Sequence, residues 1–577
     1  MNARNILLFA AALLVSTSAV DARTARHHAR PAPVPVLFDK GMVSSADPRA
    51  AEAGAAILRA GGSATDAAIA TMLALSVVEP QSSGIGGGGF YVTTNAKGQI
   101  ETIDGRETAP KAAHGKWFWK DGVQMGFREA VPGGTSAGVP GNLSLAAKAH
   151  ARHGKLPWAK LFEPAIRLAR DGWTVTPRFA SFLEFARGSA AFVPDGASLF
   201  YDADGRAVAA GSVLKNPAQA KTLALLARGG AKAFYSGANA AAIVSRVNTA
   251  PRNPSAMTLA DVMSYRAKDR MPLCGTYRGY KICGMGPPSS GETTVFAVLK
   301  QLERFDLTAL GPDSPVAWHL IAESERLAYA DRARYLGDPD FVTVPAAGLI
   351  DPGYLKQRSE LIDPAKTIAL VTAGTPPGAM NLARADRPAG PENGTSHFAV
   401  IDRWGNAVTY TSTVESAFGS GLVVGGYYLN NELTDFDFAP EKDGKPAANR
   451  VEGGKRPRSS MAPTLVFSAD GKLRLAIGAA GGTTIPAQVA KAIIGVLDWK
   501  LSAEAAIALP VIFAPDGPTV FVEKGTTQEA MIPALVALGH ADVRARQASF
   551  KGNAVEVVDG KLIGAADKRS EGRAISE

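Results

Sequence analysis

The sequence predicts an α+β fold, and three observations carry that prediction. Alanine-rich segments near the start repeat their apolar residues at helical spacing. A stretch dense in Pro and Gly interrupts the pattern between about Asp363 and Gly394. From Ser396 onward the texture changes abruptly to strand-like runs.

Taken in order, "DPRAAEAGAAILRAGGSATDAAIATMLALSVVEP" reads as two helices with apolar stripes. Gly61 and Gly62 close the first, and Ser63 opens the second as N-cap with Asp66 at its third position. "GFYVTTNAKGQIETID" reads as a hairpin, and "VAWHLIAESERLAYADRARYL" as a long amphipathic helix. In the second half, "HFAVIDRWGNAVTYTSTV" gives two strands joined by a turn at Asp402 to Asn406. "GGYYLNNELTDF" and "PTLVFSADGKLRLAIGA" supply further strands, and "TTIPAQVAKAIIGVLDW" is a helix. The boundary in character falls at Thr395.

With 577 residues, the chain has a soft length prior of about three or four domains, but the pattern argues for fewer. Composition is that of a globular protein, 46% hydrophobic and 20% charged. The net charge of +9 is spread thinly, without a basic block beside aromatics, which argues against nucleic acid as a partner. Residues 1–22 have a basic start, an apolar run from Ile6 to Val15 and small residues around Ala19 and Ala22, the layout of a secretory signal peptide. The expected location is therefore periplasmic or secreted, without a membrane anchor, and "RTARHHARPAPVPV" reads as a basic, proline-rich arm. Only two cysteines occur; a hairpin turn at Arg278-Gly279 would place Cys274 opposite Cys283 and permit a disulfide, and two separate thiols are the alternative.

Two tempting motifs fail on context. "GIGGGG", Gly84 to Gly89, lacks the preceding strand and following helix of a dinucleotide site, and instead suggests close backbone approach or unusual dihedrals. "GTSAG", Gly134 to Gly138, is flanked by proline and has no strand leading into a nucleophile elbow. None of the eight histidines falls in an H-E-x-x-H or paired His/Cys pattern, so no catalytic metal is expected.

"NGTSHF", Asn393 to Phe398, holds a glycosylation sequon, a turn, and a Gly-Thr bond just before a strand. A threonine hydroxyl is a weak nucleophile that needs a base, and cutting the chain before it frees an α-amine of pKa near 8 to serve. On local grounds alone the turn and the nucleophile both remain open.

The surroundings add to this. "TSHFAVIDRWGNAVTYTSTVESAFGSG", "LNNELTDF", "KRPRSSMAPT" and "GAAGGTTIPAQ", with "SSGIGGGGF", "IDGRETAP" and "GPPSSGETT" upstream, closely resemble the γ-glutamyltranspeptidase family. The resemblance implies an N-terminal nucleophile hydrolase with a four-layer αββα sandwich, made as one precursor. It also implies cleavage between Gly394 and Thr395, giving a large subunit of residues 23–394 and a small one of 395–577. By the same resemblance Thr395 is the nucleophile and Thr413 orients it. Arg106, with Ser459 and Ser460, meets the substrate α-carboxylate; Glu415, Glu432 and Asp435 surround the α-ammonium; Gly481 and Gly482 bind the oxyanion. Substrates would be glutathione and other γ-glutamyl amides, resolved by water or by acceptor amino acids or peptides, and the resemblance implies no cofactor. The stretch "FDFAPEKDGKPAANRVEGG" is intermediate between family members with a long lid over the site and those without one. The rivals are a glutaryl-type cephalosporin acylase of the same branch and an uncut, non-catalytic amino-acid-binding protein.

Overall fold

Two antiparallel sheets stacked face to face form the centre, and each draws strands from both sides of Thr395. In the computed structural model, which describes residues 37–380, 382, 394–515, 517–547 and 550–577, the sequence-predicted signal peptide, the basic arm and Asn393 of the sequon lie outside the described residues. The strands that matter are β1 (Met42–Ser45), β2 (Gly88–Thr94), β3 (Ile100–Asp104), β4 (Lys268–Arg270), β5 (Leu273–Tyr277), β6 (Tyr280–Gly284), β7 (Gly394–Ile401), β8 (Ala407–Glu415), β9 (Thr464–Phe467), β10 (Leu473–Ala480), β11 (Lys551–Val558), β12 (Lys561–Ala566) and β13 (Arg573–Ser576). The first sheet runs β13-β1-β7-β8-β2-β3-β4 and the second β12-β11-β10-β9-β6-β5.

The helices that matter here are α1 (Pro48–Arg59), α2 (Ala64–Val78), α3 (Pro177–Phe185), α4 (Gly291–Leu302), α5 (Pro315–Tyr335) and α6 (Ile485–Leu497). α2 lies against β7 and β8, while α4 and α6 cover the second sheet, with α5 packed on α4. β7 and β8 face β10 across the middle of the stack. The order helix, sheet, sheet, helix is the four-layer αββα sandwich.

Local chemistry sets these elements as read from the sequence. Ser63 and Asp66 form a reciprocal capping box at the start of α2, an arrangement contributing about 1 kcal/mol. Arg278 and Gly279 take φ of 51° and 82°, the twist a two-residue hairpin requires. The resulting register sets Cys274 opposite Cys283, and the two are disulfide-bonded.

Three expectations need correcting. Every residue of α2 is buried, so it has no solvent face; it runs between its sheet and the helices outside it. α5 is likewise buried along its polar side, and those polar groups make internal bonds. Arg326 pairs with Glu323 at 2.7 Å, the Ala514 N–H donates to Glu325 at 2.8 Å, and the Tyr354 hydroxyl donates to Asp331 at 2.7 Å. "GGYYLNNELTDF" yields only the two-residue strand Tyr427–Tyr428, and Glu432–Asp435 is a 3-10 turn. There the buried side chains of Asn430, Asn431 and Thr434 bond neighbouring backbone groups, which competes with a sheet ladder.

The glycine run supplies room. A Cβ on Gly87 would stand 1.9 Å from the Thr413 carbonyl oxygen, and one on Gly86 would stand 2.0 Å from that of Tyr428. Neither residue has a positive φ, so close approach is the reading that holds.

Candidate active site

β7 begins at Gly394 and pairs with β8, with an irregularity in register between Gly394 and Ser396. The irregularity leaves Thr395 beside Thr413, their hydroxyl oxygens 3.3 Å apart. Both side chains are buried. The Gly394 carbonyl oxygen accepts from the Thr395 hydroxyl and, at 2.7 Å, from the Thr413 hydroxyl. Thr413 Oγ1 in turn accepts from the Glu415 N–H at 2.8 Å. Glu415 ends the strand with φ of 78°, a left-handed conformation that costs a non-glycine residue on the order of 1 kcal/mol and is commonly held at functional sites.

Glu415 links this seam to the next group. Its carboxylate accepts from the Ser416 hydroxyl at 2.6 Å and from the Asn431 side-chain amide. Asn431 Oδ1 receives the Ser416 N–H at 2.8 Å. One residue further on, Glu432 starts the 3-10 turn that ends at Asp435.

Arg106, in the loop after β3, pairs through Nη1 with Glu432 and through Nη2 with Asp435. Its remaining donors reach the Arg458 carbonyl at 2.9 Å and the Pro457 carbonyl at 3.2 Å. The groups assigned from sequence to opposite ends of a substrate thus form one buried cluster. Burial raises Glu432 well above the usual carboxylate range; Arg106 opposes the shift, while the like charges of Glu107, Asp435 and Glu415 add to it. Asp435 is raised by burial, against the pull of Arg106. Glu107 is pushed up to about 8, again by burial first. Neither oxygen of Glu107, nor Oε2 of Glu432, has a hydrogen-bond partner among the described residues. Carboxyls so placed hold a proton or await a cation.

Ser459 and Ser460 follow Arg458 and are buried. Ser460 Oγ accepts from Arg332 of α5 at 2.6 Å, and the Ser459 carbonyl accepts from the Ser290 N–H and hydroxyl at 2.8 and 2.6 Å. "GPPSSGETT" is therefore the brace for "KRPRSS". Gly481, φ 135°, and Gly482, φ 60°, turn from β10 into a short 3-10 segment ahead of α6. Gly481 lines a cleft with Ser82, whose carbonyl accepts the Val414 N–H at 3.2 Å, one residue from Thr413.

Glu107, Asn431, Arg332 and Glu79 were not picked out from sequence. Glu107 and Asn431 sit inside motifs already quoted, so adjacency was the available signal; Arg332 and Glu79 gave none. His397 faces the second sheet, with Nδ1 2.8 Å from Thr411 Oγ1, and burial lowers it to about 3, which makes it a weak base. The stretch intermediate between lidded and lidless members contains a short hairpin, Glu441–Lys442 with Lys445–Pro446. Phe438, just before it, stacks on Phe118 with ring centres 4.2 Å apart. Among the described residues, His319, Glu323 and His540 form one group of metal-ligand type. His319 and His540 bond each other at 2.8 Å, and Glu323 already accepts from Arg326, Thr367 and the Ile368 N–H.

The chain matches the family model described as Gamma-glutamyltranspeptidase over residues 50–576. The chain belongs to the γ-glutamyltranspeptidase family. Among relatives, it is 36% identical over 557 residues to a glutathione hydrolase proenzyme of Bacillus subtilis, covering 93% of this chain and 91% of that one. It is 35% identical over 550 residues to the glutathione hydrolase proenzyme of Escherichia coli, with the same two shares covered. Among solved structures, a cephalosporin acylase from Bacillus halodurans superposes with a TM-score of 0.80 at 26% identity, covering 95% of this chain and 98% of that one. The family's N-terminal nucleophile hydrolase sandwich accounts for both sheets and for the placement of β7 at their centre.

Proposed function

We propose that the protein is a γ-glutamyltransferase and glutathione hydrolase, made as a precursor that cuts itself between Gly394 and Thr395. The observation that carries this reading is the Gly394 carbonyl, which accepts from the Thr395 and Thr413 hydroxyls together. The two donors polarise that carbonyl toward attack. Thr395 Oγ1 adds to the Gly394 carbonyl carbon, its proton passes to the Thr395 nitrogen, the peptide C–N bond breaks, and that nitrogen leaves as a free amine. Water then hydrolyses the resulting ester, returning the hydroxyl and a Gly394 carboxylate.

In the mature enzyme the Thr395 α-amine takes the hydroxyl proton as Oγ1 attacks a γ-glutamyl amide. The proton passes to the leaving amine, and a γ-glutamyl ester remains until water or a second amine resolves it. Thr413 fixes the Thr395 hydroxyl, and the N–H groups of Gly481 and Gly482 stabilise the oxyanion, a contribution typically worth ~100-fold or more per donor. Asp435, Glu432 and Glu415 receive the substrate ammonium; the raised Glu432 and Asp435 carboxyls support this, since a bound cation would let them ionise. Arg106, with Ser459 and Ser460, receives the α-carboxylate as Arg106 exchanges part of its pairing with the acids.

The names of the relatives support the donor class, and residues 1–22 support export to the periplasm or beyond. N-terminal sequencing of the shorter fragment on a denaturing gel is expected to read Thr-Ser-His-Phe. A persistent single band would favour the non-catalytic binding protein. The likeness to a cephalosporin acylase keeps one second reading, removal of glutaryl side chains. Rates on γ-glutamyl and glutaryl anilides decide between them: the three acids around the ammonium position predict preference for γ-glutamyl, and preference for glutaryl would overturn the substrate assignment.

A further inference from the structure

The cleft that Gly481 lines with Ser82 has a volume of about 360 Å³. That volume suits a small ligand. Its walls include Ser82, Arg178, Phe182, Phe185, Gly481 and Lys551, and none of these belongs to the Arg106 cluster. Its back wall is tied to both threonines' neighbours. Ser82 receives the Val414 N–H, next to Thr413, and Glu79 accepts the Ser396 hydroxyl at 2.5 Å, next to Thr395.

The charge here is opposite to that around Glu432. Lys551 Nζ lies 3.3 Å from Glu79 Oε2 and 2.9 Å from Ser82 Oγ, and Arg178 Nη1 lies 3.1 Å from Glu79 Oε1. Two cations thus share one carboxylate. Lys551 is buried, but the Arg178 side chain keeps 23% of its surface, with its guanidinium 5.0 Å from the centre of the Phe182 ring. Phe185, at the mouth, is 84% exposed. An exposed aromatic beside an accessible guanidinium is the pairing expected where a ligand brings an apolar group and an anion together.

We propose that this cleft is the amine side of the reaction centre and takes leaving and acceptor molecules that carry a carboxylate, with Arg178 as the ion-pairing residue and Phe182 and Phe185 as the apolar wall. The inference rests on the γ-glutamyl reading above. Glutathione fits it, because once its γ-glutamyl part is held by the acid cluster its far end is a free carboxylate. The surplus positive charge has a second effect. An acceptor must arrive as a neutral amine, and a cationic wall favours that form over the ammonium. In the transfer step the amine nitrogen bonds to the γ-carbonyl carbon, the bond to Thr395 Oγ1 breaks, and the proton lost by the nitrogen restores the Thr395 hydroxyl.

The test compares glutathione with its C-terminal amide as donors for the processed wild-type enzyme and for Arg178→Gln and Arg178→Lys. The wild type is expected to favour the acid over the amide by about tenfold in kcat/KM, Arg178→Gln to bring that ratio to about one, and Arg178→Lys to restore part of it. Phe185→Ser, at an exposed position, is expected to lower transfer to phenylalanine relative to glycine by about threefold. A wild type that treats acid and amide alike, or an Arg178→Gln enzyme that slows both donors equally and keeps their ratio, would overturn the assignment. Wild-type enzyme inactive on both donors yet active on glutaryl anilide would overturn the γ-glutamyl reading itself and the inference with it.

Discussion

The seam at Thr395 and the cluster at Arg106 are both buried and are linked through Glu415 and Asn431, yet they are built from opposite materials. The seam is made of hydroxyls and backbone carbonyls, has no ionised side chain between its two threonines, and depends on backbones held within van der Waals limits of each other. The cluster is made of carboxyls and a guanidinium, several of them raised from their usual range or without a donor. Bond breaking needs placement, and recognition of a charged substrate needs unmet charge. Under the proposed self-cleavage, separating the two would let the chain cut itself before any substrate is present.

That contrast predicts which changes can be told apart. The largest effect belongs to Thr395→Ala, which is expected to leave a single uncut band and to lower turnover by at least about 10,000-fold, read on a gel and with a γ-glutamyl anilide. Arg106→Ala is expected to cut normally while kcat/KM falls by roughly 100-fold, mainly through KM. If Arg106→Ala stayed uncut, the separation of seam and cluster would be broken. Gly394→Ala sharpens it from the other side. A Cβ there would meet the Glu415 carbonyl oxygen at 2.5 Å, so self-cleavage is expected to slow by roughly tenfold. Turnover per cut molecule should stay at the wild-type value, because residue 394 carries no reacting atom after the cut.

The smallest effect tests a buried carboxyl outside both regions. Glu292 accepts from the Thr464 hydroxyl at 3.1 Å, and burial raises it to about 8. Its folded pKa lies above its unfolded one, so the stability it contributes is complete below the unfolded value near 4.5 and is lost as pH rises through about 8. The melting temperature of the wild type should therefore fall between pH 6 and pH 9 relative to that of Glu292→Gln by a few degrees. Equal slopes for the two proteins would remove Glu292 from the account.

Much of this was legible in the sequence because it is local. The Ser63 capping box, the Arg278-Gly279 turn and the strand pair around Asp402 depend on neighbours within a few positions. The candidate site residues came from the resemblance of their motifs to those of the family, and the structure brings most of them together where Gly394, Glu415 and Arg458 hand one group to the next. What could not be read was contact at long range. Nothing in the periodicity of α2 or α5 says that their polar positions face other protein groups rather than water. Nothing in "GRETAP" says that Arg106 rests against Glu432 and Asp435.

The interleaving of the two sheets has one further consequence. β7 and β8 come after the proposed scissile bond, and they are flanked by β1 and β2, which come before it; in the second sheet β6 precedes it and its neighbour β9 follows it. Drawing the two products apart would strip hydrogen bonds from the middle of both sheets, which amounts to unfolding. Dilution should not part them, fresh copies should not exchange partners, and each heterodimer formed by the proposed cut would be as old as the single polypeptide from which it was made.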